Sequence, residues 1–177
     1  MRGYERFTSV AARAEETTLP DGSVDFVTAG QTFHWFDPGP TRGEFARILE
    51  PGGVVALIWN TRRKEGEPFL AGYEKLLRSH GTDYREVCHG SRGSPESIRD
   101  FFRPHPVEEA TFENRQAFDL EGLRGRLLSS SYVPDVGEPG HPEMMEAADR
   151  LFEEHQAAGR VVLKYDTQVF FGPLSGP

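Results

Sequence analysis

The chain has a single cysteine, Cys88, among 177 residues. That excludes an intramolecular disulfide and any metal cluster built on several thiolates. His80 and His89 stand near it, but their spacing matches no zinc pattern, so no metal is expected. No apolar run approaches bilayer length, and Met1-Arg2-Gly3-Tyr4-Glu5-Arg6 leads into no signal-like hydrophobic stretch. No membrane partner is expected, and the default location is cytoplasmic. Positive charge is scarce too, with 20 Lys and Arg against 28 Asp and Glu and a formal net charge of -8. Nucleic-acid binding needs the opposite balance, because it relies on neutralising backbone phosphates. Internal repeats and low-complexity tracts are absent, and no nucleophilic triad stands out.

What is present fits a globular protein, at 37% hydrophobic and 27% charged residues. A chain of this length buries roughly two-thirds of its unfolded surface, so one domain over residues 1–177 is expected.

The most organised stretch runs from Leu19 to Asn60. Leu19-Pro20-Asp21-Gly22-Ser23 is turn chemistry. Val24 to Ala29 reads as a strand covered on both faces, as in a parallel sheet, because it is short and rich in β-branched and apolar residues. Gly30 ends it, and an aromatic turn, Gln31-Thr32-Phe33-His34-Trp35-Phe36-Asp37, follows. After Pro38-Gly39-Pro40 a helix should open with Thr41 as N-cap and Glu44 completing a capping box. Phe45, Ile48 and Leu49 share one helical face, and Pro51-Gly52-Gly53 should stop the helix. Val54 to Trp59 is a second continuous apolar strand. Two strands joined this way make a βαβ unit, whose ligands bind beyond the carboxyl ends of the strands. Those ends carry Gln31 to Trp35 and Asn60 to Lys64.

Around this unit, Phe7 to Ala11 reads as a short strand that pairs with Val24 to Ala29 or with a second chain. Helices are expected at Pro68 to His80, from Ser94-Pro95 through Phe102, after Asp119 across Leu120, Leu123, Leu127 and Leu128, and at Pro142 to Ala158. Val107 to Phe118 and Val161 to Phe171 read as strands that pair antiparallel.

The pieces resemble class I S-adenosylmethionine-dependent methyltransferases of the methyltransferase type 11 group, similar to trans-aconitate-type enzymes. The resemblance rests on Ala14-Glu15, Leu19-Pro20-Asp21, Ser23-Val24-Asp25, Gln31-Thr32-Phe33-His34-Trp35-Phe36, Ile48-Leu49 with Pro51-Gly52-Gly53, and Ser129-Ser130-Ser131-Tyr132-Val133-Pro134. It implies an α/β fold with an incomplete Rossmann-like sheet, mostly parallel with an antiparallel C-terminal strand, helices on both faces and a cap-like segment at about 119–142. The complete family orders its strands 3-2-1-4-5-7-6. S-adenosylmethionine would be the cofactor, touched by Ala14, Glu15, Ala29, Gly30, Gln31 and Trp35. A small-molecule methyl acceptor would lie beside Phe33, Trp59, Asn60, Arg62 and Tyr132.

Two departures matter. Relatives often carry Asp before the Ala, where this chain has Arg13, whose guanidinium can only donate. The family's opening strand, Gly-rich turn and helix, which bring backbone amides to the cofactor, have no match in Met1 to Val10. They would take on the order of 60 to 80 residues. Binding and activity of this chain alone are therefore expected to be weak.

In methyl transfer the cofactor supplies the reactive group and the protein positions the reactants. A base is needed only where the acceptor loses a proton, and His34 is then the candidate catalytic residue, or else a brace for Trp35. Phe33, Trp35, Phe36 and Trp59 could face the sulfonium, with at least two of them expected in the core. Arg62-Arg63-Lys64 either hold an acceptor carboxylate or form a solvated basic loop. Two other classes stay open. One is a non-catalytic relative that dimerises or binds a partner through an exposed sheet edge. The other is an unrelated α/β binding protein for a small acid.

Overall fold

The computed structural model describes residues 6–84 and 94–175, so Cys88 and His89 lie outside it. Its elements are β1 (Val24–Gly30), a 3-10 turn (Phe33–Trp35), α1 (Pro38–Ile48), β2 (Leu49–Arg62), α2 (Pro68–His80), α3 (Pro95–Phe102), β3 (Glu108–Phe118), α4 (Leu120–Leu128), α5 (His141–His155) and β4 (Val161–Gly172). The sheet order is β1-β2-β4-β3, and β1 runs parallel to β2. That order is the 4-5-7-6 portion of the one the resemblance implies.

Local chemistry explains most of the boundaries. Asp119 caps α4 by accepting from Gly122 N at 2.8 Å, and Ser94 caps α3 through Ser97 N at 3.2 Å. Helices α1, α2, α3 and α5 each carry Pro in the first turn, where the missing N–H is no loss.

Four expectations need correction. Helix α1 starts three residues before Thr41, because Pro38 is already fit for a first helical position. Thr41 and Glu44 are buried inside the helix, and Glu44 spends its carboxylate on Thr17 N (2.7 Å) and on Arg47 rather than on a capping box. Pro51-Gly52-Gly53 does not follow a helix end as a separate stop, since α1 already ends at Ile48 and β2 begins at Leu49. The three residues form a bulge instead: Val24 pairs with Leu49 but Phe26 pairs with Val54. Gly52 sits at φ +84°, and a Cβ on Gly53 would stand 3.1 Å from Asp25 O.

Strand β1 is not covered on both faces. Ala29 is buried, but Phe26 is 69% exposed. Finally, 7–11 forms no strand. Among the described residues the pairing near it is an isolated bridge between Arg13 and Glu16, and Phe7 is 67% exposed. Among the described residues β1 is therefore an edge strand.

The chain divides into two compact units, one formed by Met1–Ile58, Ser91–Ala110 and Val169–Pro177, the other by Trp59–Gly90 and Thr111–Gln168. In the first, α1 packs on α3, and Phe33, Phe45, Val55, Leu57, Ile98, Phe101, Phe102 and Phe170 are buried. Phe101 is the hub, with rings of Phe33 and Phe102 edge-on at 5.0 and 5.5 Å. In the second, α2 and α4 both pack on α5 around Leu70, Tyr73, Leu77, Leu123, Leu127, Met144 and Leu163. Among the described residues no helix is long and apolar enough to cross a membrane, and no group of metal-ligating side chains forms a site.

Candidate functional site

In the first unit the site residues follow from how β1 ends. Gln31 takes φ +56°, a conformation that strains a side chain with a Cβ, and its N–H donates to Ile58 O at 2.9 Å. It sits directly beyond the carboxyl end of the parallel β1–β2 pair, and the 3-10 turn follows two residues later. Phe33 turns inward and anchors that turn against Phe101. His34 and Trp35 turn outward with their rings 4.8 Å apart, and Trp35 is 77% exposed. Phe36 is half-buried against Phe33 and Phe45, so of the four aromatics Phe33 is fully buried, Phe36 and Trp59 are half-buried and Trp35 is exposed.

Glu15 reaches the same region from the preceding loop. Its Oε1 accepts from Asp37 N at 2.9 Å, at the mouth of α1, and that bond holds its carboxyl below the usual carboxylate range. A carboxylate there also suits the positive end of the helix. Ala14 beside it is half-buried, Ala29 is buried and Gly30 is exposed. The loop is pinned from below by Glu44, held at about 2 by hydrogen bonds from Arg47 and then Thr17.

In the second unit Trp59 is half-buried and Asn60 exposed, with Asn60 Oδ1 accepting from Thr167 Oγ1 at 2.6 Å and Asn114 Nδ2 at 3.3 Å. Arg63 is tied to Asp166 (2.6 Å) and Glu113 (3.0 Å). Arg62 takes a different path, inward. Its Nη2 donates to Glu74 at 2.6 Å and Tyr84 at 3.0 Å, and its Cζ lies 5.0 Å from the centre of the Tyr73 ring. Tyr132 joins through Tyr84, ring to ring at 5.0 Å. The structure thus brings Arg62 and Tyr132 into one cluster, apart from the Asn60 hydrogen bonds.

Glu74 is the centre of that cluster, and sequence reasoning passed over it. Burial pushes its carboxyl up, but hydrogen bonds from Tyr84, Arg78 and Arg62 outweigh this and hold it at about 2. One signal was there: Glu74 stands four residues after Leu70 and three before Leu77, a carboxylate on the buried stripe of α2.

The pattern has relatives. The methyltransferase domain family model matches residues 2–57. An uncharacterized methyltransferase of Mycobacterium tuberculosis is 53% identical over 118 residues, covering 66% of this chain and 46% of that protein. An uncharacterized methyltransferase-like protein of Schizosaccharomyces pombe is 35% identical over 180 residues, covering 94% of this chain and 66% of its own length. The chain belongs to the class I methyltransferases. A solved structure from Anaeromyxobacter dehalogenans, provisionally named a type II methyltransferase, shares this fold at a TM-score of 0.70 and 24% identity, over 99% of this chain and 75% of that one. This methyltransferase chain spans about half the length of the first of these relatives.

Proposed function

We propose that this chain serves S-adenosylmethionine-dependent methyl transfer to a small-molecule acceptor that carries a carboxylate. The observation that carries the reading is the strained turn at Gln31, directly beyond the parallel strand pair, which leaves His34 and Trp35 open to solvent. In an α/β sheet that position is where ligands bind. Glu15, Ala14, Gly30 and Gln31 are the proposed cofactor contacts, and Trp35 offers a ring face to the sulfonium. His34 takes a proton where the acceptor must lose one. Arg62 and Tyr132 are assigned to the acceptor.

Isothermal titration with S-adenosylhomocysteine is the test. Saturable heat, with quenching of indole fluorescence that Trp35→Ala removes, is the expected result. Titration into the millimolar range with neither signal defeats the cofactor assignment.

A second reading is favoured by β1 itself. It is an edge strand with Phe26 69% exposed and Phe7 67% exposed in the same unit. An unpaired edge with apolar side chains is a template for another strand. In this reading the chain dimerises, or pairs with a partner strand, along β1.

A further inference from the structure

Arg62 is nine-tenths buried, its side chain 10% exposed, and its Nη1 is enclosed with no hydrogen-bond partner among the described residues. A buried guanidinium N–H left unmatched is costly, which makes it a place where a ligand oxygen is worth most. A second guanidinium, Arg126 on α4, is half-buried in the same unit. It lies close enough to Tyr73, Tyr132 and Tyr165 to interact with all three electrostatically. Arg126 bonds only to neutral hydroxyls among the described residues: Ser129 at 3.1 Å, Ser130 at 3.2 Å and Tyr165 at 3.5 Å. Tyr73, whose ring lies 5.0 Å from Arg62 Cζ, belongs to the same packed cluster as Tyr84, Tyr132 and Tyr165 and interacts electrostatically with both arginines.

The charges do not cancel. Glu74 answers Arg62 but is also shared with Arg78 at 2.9 Å and with Lys64 at 3.8 Å. Setting Arg62 and Arg126 against Glu74 leaves one positive charge, before the outer cations are added. Arginine's planar fork matches a carboxylate, and the surrounding rings of Tyr73, Tyr84, Tyr132 and Tyr165 suit an apolar or aromatic body.

We propose that Arg62 and Arg126 form a subsite for the carboxylate of one aromatic or apolar-bodied acid, with Arg126 the specificity-determining arm. This deepens the acceptor assignment above and rests on it only for what happens to the acid after it binds.

The test is isothermal titration of the full chain with sodium benzoate at fixed chloride, without cofactor. Saturable binding is expected, weakened at least about tenfold by Arg126→Met. Arg126→Lys, which keeps the charge and loses the fork, should fall between the two, and it decides the matter if Arg126→Met does not fold. Near-ultraviolet circular dichroism should change on benzoate addition, reporting the tyrosines. Absent saturable binding, undiminished binding in both variants, or tighter binding of inorganic phosphate than of benzoate overturns the subsite. Benzoate binding that persists where S-adenosylhomocysteine fails to bind upholds the subsite and removes methyl transfer.

Discussion

At the scale of single residues, the informative side chains are carboxylates tied to arginines. Glu74 is buried, so removing its charge leaves Arg62 uncompensated. Glu74→Gln should destabilise the chain by about 3 kcal/mol, read by urea denaturation. Its carboxyl is held at about 2, below the ordinary 4.5, and Glu44 is held at about 2 as well. A group depressed on folding binds its proton more readily when unfolded, so acid favours the unfolded chain. The stabilisation is complete above about pH 4.5 and disappears as pH falls towards 2. Thermal melting followed from pH 6 to 2 should show that decline, and in Glu74→Gln it should be shallower. Arg62 could be nominated from its position after β2. Its inward turn to Glu74 could not, because the charge run 62–64 gives no hint that Arg62 and Arg63 go to different partners.

At the scale of elements, helices with capping residues and Pro in the first turn were legible: α2, α3 and α4 stand where their chemistry puts them. The bulge in β2 and the early start of α1 were not, because Pro and Gly serve a helix end and a bulge equally well. Between elements, close approach decides. Gly81 closes α2, and a Cβ there would sit 2.5 Å from Leu77 O and 3.0 Å from Tyr132 O. Thr82 N donates to Tyr132 O at 3.1 Å, which ties the end of α2 to the segment carrying Tyr132. Gly81→Ala should therefore cost about 1 to 3 kcal/mol by denaturant midpoint. It should also perturb the tyrosine signals of the acceptor cluster. In the other unit, Phe101→Ala removes the ring on which Phe33 and Phe102 converge. A loss of about 3 to 5 kcal/mol is expected, with quenching of Trp35 altered because Phe33 anchors its turn.

At the scale of the molecule, the question is what covers β1. Strand pairing along that edge predicts a sedimentation coefficient that rises with protein concentration, and Phe26→Lys should hold the chain as a monomer. A monomer at all concentrations sinks the edge-pairing reading and leaves the cofactor reading intact. The chain divides into two compact units, each built from separated pieces of chain. Strands β2, β3 and β4 each cross from one unit into the other, so no linker composition marks the division.

The sequence alone determined which segments become strands and helices in most of the chain, and which family the βαβ core belongs to, because caps, turns and apolar runs are local. Only the tertiary structure decided that Phe33 faces inward while Trp35 faces out, that β1 is an edge strand among the described residues, and that Arg62 meets Glu74 and Tyr84. Those outcomes depend on burial and on pairing between residues far apart in the chain, where charge and packing act through space and leave no periodic trace.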